Sequence, residues 1–276
     1  MKRLYITDLD GTLLNKESRI SENSKNILNR LIQKGVYITY ATARSYTSAK
    51  IVTEGVNFHL PSIIYNGTFL YDISQKKFLY GEYFTKKEVA ELLSVSREFQ
   101  FTPLLYTFVD GKEQILWNRN GKLSDGFLYY LSRRKNDKRM CAVDTLEQSF
   151  QGNMFYMTFI ENQKDLQPLY DFLKAENHFN VVFQQEIYRT EYWCEIMPKT
   201  ANKAEAGRRL KEILHCDELV VFGDSLNDIP LFEIADYSYA VGNSNDKLKR
   251  IATEVIGYND KDSVALQLAK LENLSD

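Results

Sequence analysis

Residues 6–14 read Ile-Thr-Asp-Leu-Asp-Gly-Thr-Leu-Leu. Two carboxylates, Asp8 and Asp10, follow directly on a run, Arg3 to Thr7, whose apolar, aromatic and β-branched content is that of a buried strand. In extended chain residues i and i+2 share a side, so the two acids repel each other unless something answers their charge. A cation, a lysine, or a reaction that uses both acids would each do so. A buried strand that ends in charge also narrows the fold, because open parallel sheets bind ligands beyond the carboxyl ends of their strands.

The following segments fit that frame. Ser21 is an N-cap, Ile27, Leu28, Leu31 and Ile32 form a helical apolar stripe, and Gly35 is a stop. Val36 to Arg44 then reads as a second buried strand running into a polar loop, and a right-handed β-α-β crossover makes it parallel to the first. A short helix from about Tyr46 to Glu54 leads to a third strand, Ser-Ile-Ile-Tyr, ending at Asn66-Gly67, a hairpin signal. Thr85-Lys86-Lys87-Glu88 has capping-box spacing and opens a helix to about Phe99.

From there to about Arg189 the character changes to aromatic, alternating segments around helix-like runs, the pattern of an inserted α+β domain. The α/β rhythm returns with Tyr192 to Pro198, a helix from Asn202 to Leu214, the apolar strand Glu218 to Gly223, and helices near 227–234, 246–251 and 263–272. The expected architecture is α/β: a Rossmann-like parallel-sheet core from residues 1–82 and 191–276, with an α+β cap inserted at 83–190. The cap aromatics Tyr106, Phe108, Trp117, Tyr156, Phe183 and Tyr188 read as sheet core rather than as a sugar-stacking platform.

Four strand ends carry polar groups: Asp8-Leu9-Asp10-Gly11-Thr12, Thr42-Ala43-Arg44, Asn66-Gly67, and Gly223-Asp224-Ser225-Leu226-Asn227-Asp228. An Asp-x-Asp alone is often only a loop with an N-cap. Parallel packing, however, would bring Asp224 opposite Asp8 and Asp10, and several carboxylates meeting at one point require a hard cation, for which Mg²⁺ is suited.

These motifs, with a helix lysine after the insert, closely resemble the haloacid dehalogenase superfamily, specifically Cof-type phosphatases with a large α/β cap. The resemblance covers essentially the whole chain. It implies hydrolysis of small phosphate monoesters, sugar phosphates foremost, through an aspartyl phosphate on Asp8. Asp10 would protonate the leaving oxygen and then activate water. Mg²⁺ would be held by Asp8, the Asp10 carbonyl and Asp224, with Asp228 and Asn227 orienting its shell or the phosphoryl oxygens.

Thr42 and Lys203 would bind the phosphoryl group, and Lys203 would also pair with Asp8. Arg44 has two readings, substrate contact or core salt bridge, and so has Asn66, which either makes the turn with Gly67, the favoured reading, or lines the site. Lys199 competes for the lysine role, and the family motif favours Lys203. The chain departs from the family at Ala43 and Ala204, where glycine is usual.

Composition narrows the partners. With 44% hydrophobic and 26% charged residues and a net charge of −2, the chain lacks the basic excess of a nucleic-acid binder. Three scattered cysteines form no metal motif, no apolar run reaches the roughly 18 residues of a membrane span, and acids interrupt the N-terminus before a signal core. The expectation is a cytoplasmic monomer or weak homo-oligomer acting on a small phosphorylated metabolite, without nucleic acid or membrane. Phosphomutase-type transfer and a non-catalytic phosphometabolite-binding role are the alternatives.

Overall fold

The computed structural model describes residues 1–185 and 189–274. The chain forms two compact units, one from Met1–Gly81 with Ala201–Asp276 and one from Glu82–Thr200. In chain order the first unit contributes β1 (Arg3–Thr7), α1 (Glu22–Gln33), β2 (Tyr37–Tyr40), α2 (Tyr46–Val52), β3 (Ser62–Ile64), β4 (Phe69–Asp72) and β5 (Lys77–Gly81). The second consists of α3 (Lys86–Glu98), β6 (Leu104–Val109), β7 (Lys112–Asn118), α4 (Asp125–Ser132), β8 (Met140–Val143), β9 (Asn153–Glu161), α5 (Gln163–Glu176), β10 (Phe179–Gln185) and β11 (Tyr192–Pro198). The first unit is completed by α6 (Lys203–Ile213), β12 (Glu218–Gly223), α7 (Ile229–Ile234), β13 (Tyr237–Ala240), α8 (Asp246–Ile251), β14 (Glu254–Val255) and α9 (Ser263–Leu271).

The first unit is built on a parallel sheet in the order β14-β13-β12-β1-β2. Parallel strands are covered on both faces, which is why β1 and β12 read as near-continuous apolar runs. Leu4 and Ile6 pack with Leu219, Val221, Ala206, Leu210, Leu231 and Phe232 on the face of α6 and α7. Tyr5 points the other way, where its hydroxyl donates to Glu272 just past α9. Ser21 caps α1 by accepting from the Ser24 N–H, and Gly35 adopts positive φ beyond its end.

The hairpin also forms: β3 and β4 are antiparallel, and β5 adds a third strand. A single parallel bridge, Ala41 to Ile63, joins β3 to the end of β2.

In the second unit six strands form a sheet in the order β10-β11-β9-β6-β7-β8, antiparallel except between β7 and β8. Leu92 and Leu93 of α3 and Leu166, Leu169 and Leu173 of α5 pack on Leu105, Met157, Phe159 and Ile196 of the sheet. The Thr85–Glu88 capping box is present. Tyr106 and Tyr156 are buried, and Phe108 and Phe183 stack on Phe155 and Tyr170, so these rings serve the core. Tyr188 lies outside the described residues.

One boundary differs from the sequence reading. The sequence pattern places the return to the first unit at residue 191, but Tyr192–Pro198 pairs antiparallel with β9 and β10, and the second unit runs to Thr200. An apolar strand looks the same whichever sheet receives it, because its partners are remote in sequence. Among the described residues no helix is long and apolar enough to cross a membrane.

Candidate active site

The register of the parallel sheet sets the site. Thr7 pairs with Phe222 on one side and Tyr40 on the other, so β1, β12 and β2 end together. The ladder runs one residue further on each side: the Asp8 N–H donates to Phe222 O at 2.9 Å and the Ala41 N–H to Thr7 O at 2.9 Å. The residues that follow, Asp8, Asp224 and Thr42, therefore emerge along one edge. After Asp8 the chain winds into a wide turn, with the Leu13 and Leu14 N–H groups donating to Asp8 O and Leu9 O. Gly11 permits it, at φ +79°, where a Cβ would stand 2.4 Å from an Asp224 carboxylate oxygen.

Asp8, Asp224 and Asp228 each offer an oxygen within 4.8 Å of the others. Lys203, at the first position of α6 and 1% exposed, donates from Nζ to Asp8 Oδ1 at 2.6 Å and to Asp228 Oδ1 at 2.7 Å. Asp228 Oδ2 accepts the backbone N–H groups of Asp224 and Ser225, and the Thr12 hydroxyl donates to Asp224 Oδ1 at 2.9 Å. Asp228 thus ties the turn after β12 to the lysine. Lys199, the competing lysine, bonds Asn177 within the second unit.

Electrostatics follow from burial. Loss of water pushes the Asp8 carboxyl well above its ordinary range; Lys203 opposes this, while Asp228 and Asp224 add to it. Asp224 is pushed up to about 7 by burial and by the charge of Asp228. Burial works against the charge on Lys203, but Asp228 and Asp8 outweigh it and hold the ammonium protonated. Three carboxylates around one ammonium leave a negative excess on oxygen donors, the chemistry that a hard divalent cation such as Mg²⁺ fits.

The neighbouring loops complete the site. The Thr42 N–H donates to Ile63 O at 3.0 Å, and Thr42 O accepts from the Asn66 N–H at 2.9 Å. Arg44 forks onto Asp10, Nε to Oδ2 and Nη2 to Oδ1, both at 2.6 Å. This fork is an ion pair within the protein, one of the two contacts that the sequence allowed. Asn227 Nδ2 donates to Asn66 Oδ1 at 3.0 Å, while the buried Asn227 Oδ1 has no partner among the described residues. Neither Ala43 nor Ala204 has positive φ, so alanine is unstrained at both departures from the family pattern.

Three residues of this arrangement carry no role in the sequence reading beyond turn, loop or helix start: Thr12, Gly67 and Asn202. Asn202 caps α6 by accepting from the Glu205 N–H at 2.9 Å. Gly67, at φ +97°, lies so close that a Cβ would stand 2.1 Å from Asn202 O. The Asn66-Gly67 dipeptide signals the turn, but its packing under the lysine helix is non-local.

Two outcomes follow. Relative to Asp224→Asn, wild type in chelator loses stability as pH rises from about 4 to about 7, because the native carboxyl keeps its proton to about 7 and the unfolded one gives it up near 3.8. Mg²⁺ opposes that loss by binding the ionised form, so its stabilising effect grows over the same range; parallel melting profiles for the two proteins would contradict this. Gly67→Ala costs about 1–3 kcal/mol of stability and, by shifting the lysine helix, lowers kcat about 100-fold. Wild-type melting and turnover would show that the backbone approach is unimportant.

Comparison with known proteins gives the family and the fold. A family model for haloacid dehalogenase-like hydrolases matches residues 5–268. A 5-amino-6-(5-phospho-D-ribitylamino)uracil phosphatase of Bacillus subtilis is 24% identical over 95% of this chain and 94% of its own. A pyridoxal phosphate phosphatase of Escherichia coli is 25% identical over 95% and 96%. A crystal structure of a haloacid dehalogenase-like hydrolase from Bacteroides thetaiotaomicron shares the fold, with TM-score 0.80 at 20% identity over 98% of this chain and 100% of that one. The chain belongs to the haloacid dehalogenase-like hydrolases of the Cof type.

Proposed function

We propose that this enzyme is a Mg²⁺-dependent phosphatase of small phosphate monoesters, with Asp8 as nucleophile. The observation that carries the reading is the buried Asp8 carboxylate at the end of β1, held at 2.6 Å by Lys203 beside Asp224 and Asp228. An Asp8 oxygen attacks phosphorus, the ester P–O bond breaks, and Asp10 gives its proton to the leaving oxygen. Asp10 then takes a proton from water as the water attacks the aspartyl phosphate, releasing inorganic phosphate and restoring Asp8. The Asp10 side chain is 25% exposed, so leaving group and water can reach it.

Thr42, Lys203 and Asn227 bind the phosphoryl oxygens. Lys203 answers the charge that develops there, whereas the unpartnered Asn227 Oδ1 is an acceptor and would take a hydrogen bond from water, which leaves Nδ2 as the donor toward a phosphoryl oxygen. Asp8, Asp224 and the Asp10 carbonyl would hold Mg²⁺, with Asp228 ordering the turn. When bound, the cation offsets the repulsion between the carboxylates and the anionic ester. The named relatives act on two different small phosphate esters, which supports a phosphorylated metabolite as substrate, with sugar phosphates first to be tried. In this reading the enzyme works in the cytoplasm as a monomer or weak homo-oligomer.

Inorganic phosphate released from an aryl phosphate and a panel of sugar phosphates, with Mg²⁺ or chelator, provides the test. Release requires Mg²⁺, and Asp8→Asn lowers it at least about 1000-fold, as loss of a covalent nucleophile does in other hydrolases. Hydrolysis that persists in Asp8→Asn would remove the nucleophile assignment. Transfer to a second hydroxyl without phosphate release would favour a mutase.

A further inference from the structure

We infer that Arg44 is a positioning residue for the Asp10 carboxyl and that proton transfer, rather than substrate binding, depends on it. Both Asp10 oxygens are taken by the guanidinium, at 2.6 Å each. A two-point fork fixes the plane of a carboxylate, which the single point charge of a lysine does not. Asp10 needs such a fixture. It sits in the wide turn after β1, before Gly11, with its side chain a quarter exposed, and it is not among the acids that Lys203 holds.

Arg44 is itself held from behind. Its Nη1 donates to Ser48 Oγ at 3.1 Å, and its backbone N–H donates to Thr42 Oγ1 at 3.1 Å. Ser48 lies in the first turn of α2, and its own N–H donates to the Ser45 cap at 3.2 Å. A continuous line of hydrogen bonds therefore runs from the start of α2 through Ser48 and Arg44 to Asp10. All three guanidinium nitrogens bond to the protein, which fixes the group in place on Asp10 and Ser48. With both partners about a quarter exposed, the pair adds little to stability, and its consequence lies in orientation.

The inference rests on the proposed roles of Asp8 and Asp10. Its test is steady-state kinetics of Arg44→Ala, Arg44→Lys, Asp10→Asn and the Asp10→Asn/Arg44→Ala double variant, with one alkyl and one aryl phosphate. Arg44→Ala lowers kcat for the alkyl ester about tenfold to a hundredfold, within the range of acid–base contributions, with KM changed less than about twofold. In kcat/KM, which reports the steps up to departure of the leaving group, the aryl ester loses less, because its leaving oxygen needs no proton. Arg44→Lys recovers little, and in the Asp10→Asn background removal of Arg44 costs nothing more.

Ser48→Ala, which only loosens the fork, gives a smaller loss of the same kind and carries the test should Arg44→Ala not fold. A raised KM with kcat intact, or additive losses in the double variant, would overturn the assignment and make Arg44 a substrate contact. Hydrolysis that persists in Asp8→Asn would instead overturn the underlying roles.

Discussion

The ammonium of Lys203, buried between Asp8 and Asp228, is the contact on which the site depends. Removing three charged groups from water is costly, and a buried ion pair seldom adds net stability compared with apolar groups of the same shape. Its effect is to hold a carboxylate in one place. Much of the first unit serves that end: the register of β1 and β12 brings Asp8 beside Asp224, Asp228 orders the turn through two backbone N–H groups, and Gly67 lets the hairpin lie against the start of α6.

The charges divide between two cations. Lys203 takes Asp8 and Asp228, while Arg44 takes Asp10. In the proposed mechanism the division has a chemical purpose: two acids separated by a single residue do different work because different cations hold them. The nucleophile is buried against its lysine, whereas the proton carrier stands at the edge of solvent.

Much of this was legible in the sequence because strand ends are local. Asp8, Thr42 and Asp224 could each be placed at the end of an apolar run, and a parallel sheet aligns such ends. What was not legible depended on partners remote in the chain. Tyr192–Pro198 has the composition of a core strand, but its hydrogen bonds go to β9 and β10. The fork of Arg44 on Asp10 and the bond from Asn227 to the Asn66 side chain, 161 residues away in sequence, are contacts that no local pattern encodes. The alanines at 43 and 204 raised a question of backbone strain that only torsion angles could answer, and neither has positive φ.

The central claim is that Asp8 becomes covalently phosphorylated. Rapid acid quench of enzyme mixed with an aryl phosphate, then proteolysis and mass spectrometry of the peptides, tests it most directly. The account predicts a phosphoryl group on the peptide carrying Asp8, appearing before steady state and absent from Asp8→Asn. Enzyme that turns over the ester while Asp8 stays unmodified at every quench time, or that carries the group on another residue, would contradict it.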